Sequence, residues 1–322
     1  RLFWADYGGI LCLPDHEDMV LRALASYLRQ MTWSHINLKN FRISDHRFGL
    51  FVESLADERL VVESRTSIIN DGETDNLVCP SIELPDTFEA YVAGTLSYNK
   101  RQKLRRALRQ LESSSEYTIT TTSAATQSRD LQILERLWLE MWSSLNDSDA
   151  PLLAAKYATI VKRGLDDGLV HMPVLWYGEA PVGVLANFVD RDKSRLLVFM
   201  TGRDESFRGL PVGLVIHAHS IRWAIEHGIK TYDLLRGNEP YKYSLGAAAD
   251  VRLRYPLVST KSGKNLNGAL DHGGIDEAVR LAVDFARRQR TLEAVTACQQ
   301  GRAAAPGHEG ASQLLATLVV AP

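Results

Sequence analysis

The sequence predicts an α/β fold built on a mixed sheet, and three observations carry that expectation. Residues 172–177, 180–188 and 195–202 are apolar runs of strand length, separated by the polar breaks Gly178-Glu179 and 190–194, which reads as an antiparallel meander with a hairpin-like first turn. Behind them, a small-residue loop at 208–213 feeds a helix in which Leu214, Ala218, Ile221 and Ile225 recur at spacings of four, three and four, with Gly228 as the stop and a further strand from Thr231. The same helix-then-strand order occurs near the start of the chain, a faint internal repeat that points to a tandem arrangement.

Taken in order, Trp4-Ala-Asp-Tyr-Gly-Gly9 is a loop, and Val20, Leu21, Leu24, Tyr27, Leu28 and Met31 have helical spacing ahead of the alternating strand 33–38. Residues 79–88 are proline-punctuated and lead into a helix with Asp86 or Thr87 as its N-cap. Residues 96–112 form a helix whose Leu104, Ala107, Leu108 and Leu111 share one face, while Lys100, Arg101, Lys103, Arg105, Arg106 and Arg109 occupy the rest. Leu131, Leu134, Leu137, Trp138, Met141 and Trp142 make a bulky helical stripe, with Trp138 expected in the core and Trp142 a candidate for an acceptor pocket. Another helix spans 152–165. Past Val258, an amphipathic helix is expected over 275–298, with Ala278, Leu281, Ala282, Phe285 and Ala286 inward, and the tail from Gly301 reads as a disordered linker. The expected domains are 1–90, the rear half of a first α/β copy whose opening strands would lie ahead of Arg1; 91–260, the second copy; 261–300, a helical segment; and 301–322, the tail.

Composition narrows the function. A chain of 322 residues with 45% apolar content can bury a substantial core, and a net charge of −2 gives no general affinity for polyanions. The three cysteines, Cys12, Cys79 and Cys298, are odd in number and far apart, so neither a disulfide framework nor a metal site is expected, and a reducing cytoplasm fits. His217, His219 and His227 are not spaced for a compact metal cluster and read as flanking or surface residues. No apolar run reaches the length of a membrane span. The basic helix face at 100–109 is open to three readings: plain solvation, a grip on substrate phosphate or a sugar nucleotide, or nucleic acid or an anionic membrane surface; no zinc spacing or RNA-binding aromatic signature accompanies it.

Chemistry concentrates in two neighbouring stretches. The loop Arg208-Gly-Leu-Pro-Val-Gly213 exposes the free N–H groups of a helix's first turn, where the dipole favours an anion. After the next strand, Asp233, Arg236, Glu239, Tyr241 and Lys242 fall within ten residues at a Gly-Asn-Glu-Pro turn, where a rigid scaffold presents a loop.

Arg208, Pro211 and Gly213 occupy positions one, four and six of a loop that resembles the Arg/Gln-x-x-Gly-x-Gly/Ala motif of the GCN5-related N-acyltransferases (GNAT), with proline in place of the central glycine. Asp233, Leu234, Gly237, Tyr241 and Lys242 resemble the pattern that follows the helix in one branch of that superfamily, the FemAB-like or cellulose-biosynthesis type. The helix from Leu96 resembles that branch's Leu-Ser-x-x-x-Arg-x-x-Leu-Arg-Arg opening, so the likeness runs over about 96–246. The resemblance implies a tandem GNAT-like acyl-CoA N-acyltransferase fold. It also implies acetyl-CoA or another acyl-CoA as donor, with its pyrophosphate on Arg208, Gly209, Leu210, Pro211, Val212, Gly213 and Leu214 and its pantetheine arm along Val198, Phe199, Met200 and Thr201.

The implied reaction is direct acyl transfer to an amine or hydroxyl without a covalent enzyme intermediate or a metal, which needs a base for the acceptor and an acid for the leaving thiolate. Asp233 or Glu239 is the candidate base, Tyr241 the acid and Lys242 a charge stabiliser; the competing roles are pairing of Asp233 with Lys242 or turn capping, and plain packing of Tyr241. Arg236, Trp142, Arg101, Arg105 and Tyr7 are the candidate acceptor contacts, Asp6 and Tyr7 through likeness to an Asp-Tyr turn in the branch's first domain. A sugar, an amine or a cell-envelope or exopolysaccharide precursor is the implied acceptor, with no DNA partner. Two alternatives stand beside this: a FemAB-type ligase that takes its group from aminoacyl-tRNA, and a non-catalytic polysaccharide-assembly factor that keeps the fold.

Overall fold

The structure, a computed structural model, describes residues 6–142, 150–262, 265–266 and 272–320. In chain order, a 3₁₀ turn at Pro14–His16 precedes α1 (Glu17–Gln30), β1 (His35–Asn37), α2 (Asp45–Leu55) and β2 (Leu60–Ser64). A short hairpin, β3 (Ile68–Ile69) and β4 (Thr74–Asp75), is followed by β5 (Val78–Glu83), α3 (Phe88–Ala90) running into a π turn at Tyr91–Thr95, α4 (Tyr98–Ser113), β6 (Tyr117–Thr121), α5 (Gln127–Trp142) and α6 (Ala150–Asp166). Then come β7 (Val170–His171), β8 (Pro173–Tyr177), β9 (Ala180–Asp190), β10 (Arg195–Arg203), α7 (Val212–Glu226), β11 (Thr231–Asp233), α8 (Pro240–Ser244), β12 (Ala248–Arg252) and β13 (Pro256–Thr260), and last α9 (His272–Arg287), α10 (Thr291–Ala304) and α11 (Glu309–Val320).

The chain divides into two compact units, residues 1–66 with 253–322, and residues 67–252. This differs from the division at 90/91 and 260/261 drawn from sequence, and the reason is strand pairing. β5 lies between β11 and β12, and so belongs to the second unit; β13 lies between β1 and β2, and so belongs to the first.

In the second unit the sheet order is β12-β5-β11-β10-β9-β8-β6, with β7 also paired to β9. The β10–β11 pair is parallel and its neighbours antiparallel, the mixed sheet that was expected. The expected meander is β8-β9-β10, and the helices expected at 96–112 and 152–165 are α4, capped by the Ser97 side chain, and α6. Alternation along β9 sorts the layers: Leu185 and Val189 join a core shared with α3, α4 and α7, whereas Val184 and Ala186 join one shared with α5 and α6. Trp138 lies in the latter core. Gly183 gives α7 its approach, since a Cβ there would fall 2.3 Å from Val212 Cγ1.

In the first unit, Leu21, Ala25, Leu50, Phe51, Leu55, Leu60 and Val258 form the core under the sheet β1-β13-β2. Its order α1-β1-α2-β2 with an antiparallel strand inserted between β1 and β2 repeats the order α7-β11-α8-β12 with β5 inserted between β11 and β12. The helix expected over 275–298 is broken at Gln289 (φ 59) into α9 and α10, and Leu281 is exposed rather than inward. The tail read as disordered contains α11, whose Leu314, Leu315 and Leu318 pack on Ala282, Ala297 and Cys298. Apolar spacing in an alanine-rich stretch outweighs its glycines here. No helix among the described residues is long and apolar enough to cross a membrane.

Candidate active site

Four segments of the second unit enclose a cavity of about 560 Å³. The first is the 203–214 loop and the start of α7. Pro211 is the N-cap and no side chain caps the first turn, so the N–H groups of Val212, Gly213 and Leu214 are left without intrahelical partners at the wall those residues form. Arg208 lines the same wall, its Nη1 donating to the carbonyl of Glu205 at 2.5 Å.

The second segment is β10. It pairs with β11 only through Arg195–Leu197, while its pairing with β9 continues to Arg203, so beyond Leu197 the strand has no ladder partner on the β11 side among the described residues. A bulge between Val198 and Met200 turns the later side chains over: Leu196 and Val198 face the α7 core, Met200 faces the α5 core, and Thr201 and Arg203 line the cavity. Val198, Phe199 and Met200, expected beside a pantetheine arm, do not line it with their side chains, and Phe199 packs edge-on to Tyr157 and Phe188. Gly209 also lies off the wall, close to the Phe207 ring and the Tyr117 hydroxyl.

The third segment is α4, which contributes Lys100 and Lys103 rather than the expected Arg101 and Arg105. Arg101 Nη2 is 3.4 Å from the Leu96 carbonyl, and Arg105 is exposed. The reason is helical phase: positions 100 and 103 share a face that 101 and 105 do not. Among the described residues Lys100, Lys103 and Arg208 form no ion pair, whereas Arg203 pairs with Glu205 at 2.8 Å.

The fourth segment is the turn after β11, where the two carboxylates part company. Asp233 is 1% exposed and absent from the cavity wall: Oδ2 accepts from Arg195 Nη1 at 3.2 Å and Oδ1 from the Leu235 N–H at 2.9 Å. It therefore braces a turn in which Leu235 takes the left-handed conformation (φ 53), and the expected pairing with Lys242 goes instead to Glu239. Lys242, 3% exposed, donates to the carbonyls of Arg236 at 2.6 Å and Gly237 at 3.0 Å and lies 3.0 Å from Glu239 Oε2. Burial lowers its pKa while Glu239 opposes that shift. Gly237 (φ 101) is required twice, for its backbone and because a Cβ would stand 2.5 Å from that carboxylate.

Glu239 and Tyr241 reach the cavity. Burial, and then Glu239, raise the Tyr241 pKa, so its phenol keeps its proton. Asn70, in the β3–β4 turn, closes one side, and the hairpin is tied to the turn after β11 by Asn238 Oδ1 accepting from the Asp75 N–H at 2.7 Å. Arg236 does not line the cavity; Tyr7 lies in the first unit with Arg42 5.4 Å from its ring centroid, and the Trp142 side chain lies outside the described residues.

His217 is the most buried of the polar cavity-lining residues that sequence reasoning did not name as site candidates, Asn70, Lys100, Lys103 and Arg203 being others. Read as flanking or surface, it is 4% exposed, lines the cavity, and places Nδ1 2.8 Å from the Tyr232 hydroxyl, with its ring 6.1 Å from that of Tyr241. Its position three residues after Leu214 and one before Ala218, inside the apolar stripe, was the available signal. Among the described residues no group of three or more metal-ligating side chains could hold a metal ion.

Residues 99–243 match the family described as acetyltransferase (GNAT) domain. No curated protein matches the chain. Among solved structures, FemX superposes with a TM-score of 0.52 at 10% identity, over 78% of this chain and 79% of that one. The C-terminal domain of a protein named as a lysylphosphatidylglycerol synthetase from Agrobacterium fabrum gives 0.49 at 12% identity, over 80% and 77%. A conserved protein of unknown function from Bacteroides thetaiotaomicron gives 0.48 at 13% identity, over 76% and 75%. At 10% identity the likeness to FemX is one of fold.

Proposed function

We propose that the second unit is an acyltransferase that takes an acyl group from acyl-CoA, acetyl-CoA being the first candidate, and passes it directly to an amine or hydroxyl. The observation that carries this is the juxtaposition, in one cavity, of an uncapped helix start flanked by three cations that form no ion pair among the described residues with a protonated phenol and a carboxylate. The donor's pyrophosphate belongs on the N–H groups of Val212–Leu214 with Arg208, Lys100 and Lys103 around it, and the splayed edge of β10 takes the donor's amide-bearing arm.

In the transfer, the acceptor's nitrogen or oxygen adds to the thioester carbonyl and loses its proton to Glu239. The C–S bond then breaks and Tyr241 protonates the leaving thiolate. Lys242 holds the Glu239 carboxylate in place, and Asp233 acts through the turn rather than on the substrate. A cell-envelope or exopolysaccharide precursor as acceptor rests on the sequence resemblance, and a cytoplasmic setting on Cys12, Cys79 and Cys298, which form no disulfide among the described residues. An aminoacyl-tRNA donor is the second reading, favoured by one observation: Lys100, Arg101, Lys103, Arg105, Arg106 and Arg109 of α4 have no carboxylate partner among the described residues.

Thermal unfolding with acetyl-CoA tests the first reading. A ligand bound by the native state alone raises Tm with its concentration, so wild type is expected to shift and Arg208→Ala to shift less. A folded protein whose Tm ignores acetyl-CoA but rises with tRNA would replace the first reading by the second, and one indifferent to both would favour the non-catalytic assembly factor.

A further inference from the structure

Behind the cavity wall, Asn187 of β9, Ser220 and His217 of α7 and Tyr232 of β11 form a run of polar groups through the apolar core, each 4% exposed or less. Asn187 anchors its far end. The Asn187 Nδ2 is 3.2 Å from the His171 carbonyl and 3.4 Å from that of Leu185, and since carbonyls only accept, the amide's NH₂ faces them. The same nitrogen reaches Ser220 Oγ at 3.3 Å, leaving the serine's own proton free. Burial holds the Tyr232 phenol well above its ordinary pKa, so it keeps its proton. His217 Nδ1, 2.8 Å away, is that hydroxyl's hydrogen-bond partner among the described residues, and a proton turned elsewhere would be buried without an acceptor, so Tyr232 donates to Nδ1.

We infer that His217 is locked as the neutral tautomer that carries its proton on Nε2, and that it presents this N–H to the cavity as a fixed hydrogen-bond donor for the acyl donor's carbonyl oxygen. An imidazole that accepts at Nδ1 while neutral has its proton on Nε2, and with Nδ1 turned into the core the opposite edge meets the cavity that His217 lines. Its surroundings keep it neutral. Tyr232 faces it from β11, Arg203 from β10, and Tyr241, Lys242 and Glu239 from α8 and the turn before it; burial, then Lys242 and Arg203, push its pKa down to about 4. A neutral donor suits a thioester, whose oxygen gains negative charge as the acceptor adds, because it stabilises that charge without surrendering a proton. The inference rests on the acyl-transfer reading for its ligand, but not for the tautomer.

The two parts separate in one set of experiments on the full chain labelled with ¹⁵N-histidine. In long-range ¹H–¹⁵N correlation spectra, the signal set missing from His217→Gln is expected to show a pyridine-type Nδ1 and a pyrrole-type Nε2, unchanged between about pH 5 and 8 where free imidazole titrates. An Nδ1–H tautomer or an imidazolium at neutral pH would overturn the inference. On adding acetyl-CoA, the Nε2–H proton should move; Tm rising while that proton stays fixed would overturn the donor role and leave the acyl-CoA reading intact. Should acetyl-CoA not bind, the acyl-CoA reading fails and the tautomer alone decides. For acyl release from acetyl-CoA, His217→Leu should lose about 100-fold, the cost of one oxyanion donor, and His217→Gln, which restores an N–H, should recover about tenfold of that. Equal losses in the two variants at equal Tm would count against it.

Discussion

At the residue scale, the cluster 233–242 shows how chemically similar side chains acquire separate tasks. Sequence placed Asp233, Glu239, Tyr241 and Lys242 within ten residues, here from the end of β11 into α8, and left the base open between the two carboxylates. It could not assign them, because a carboxylate's role depends on what surrounds it in space: Arg195, 38 residues away, takes Asp233, and Lys242 takes Glu239. The division predicts opposite phenotypes for two neighbours. Tyr241→Phe should leave stability within about 0.5 kcal/mol, since the ring is partly exposed, and, if turnover uses the proposed acid, lower it about 10- to 100-fold. Lys242→Met should cost about 3 kcal/mol in denaturant unfolding, because Glu239 and two turn carbonyls lose their buried partner. Near-wild-type stability for Lys242→Met would remove it from its role as the turn's anchor.

At the scale of elements, the periodicities that sequence reads best came through: the meander, the α4 face with Leu104 and Ala107 buried, and α7. Less legible were the features that bend or interrupt elements. Nothing in Val198-Phe199-Met200 announces the bulge that hands Thr201 to the cavity, since a one-residue slip changes a face without changing composition. Nor does Gly183 announce that α7 begins on top of it. The contact yields a prediction: Gly183→Ala drives a methyl into Val212, whose branched side chain has little rotamer freedom, and must displace the first turn of α7. The expected loss is about 1–3 kcal/mol of stability, together with a fall in acetyl-CoA affinity of more than about tenfold by calorimetry. Unchanged affinity in a folded variant would argue against the helix start as the donor's anchor.

At the scale of the whole molecule, two buried histidines govern the response to acid. Burial and neighbouring cations push His217 down to about 4, and burial with His219 and His227 pushes His171, stacked 4.0 Å from Trp223, down to about 3. Both folded values lie below the unfolded one of about 6.5, so in this window the unfolded chain binds more protons and stability rises with pH. Stability is therefore expected to be level above about pH 6.5 and to fall below it, by up to about 1.4 kcal/mol per pH unit for each histidine, with the slope reduced in His171→Phe. A flat profile from pH 4 to 7 would contradict the burial of both rings. Sequence hid this behaviour because a histidine inside an apolar stripe looks the same whether its ring is sealed or wet.

The strand β13 has a further consequence, for the order in which the chain matures. The sheet of the first unit pairs Ser64 with Pro256 and Leu60 with Thr260, so two strands made early wait for a third that follows the whole 67–252 segment. The 67–252 segment, by contrast, holds every strand of its own sheet in one uninterrupted stretch. As the chain leaves the ribosome the later segment can close first, while β1 and β2 stand as open edges until residue 260 emerges. A nascent chain stalled short of that point would carry one finished unit and one unfinished and adhesive, the state in which a chaperone would find its work.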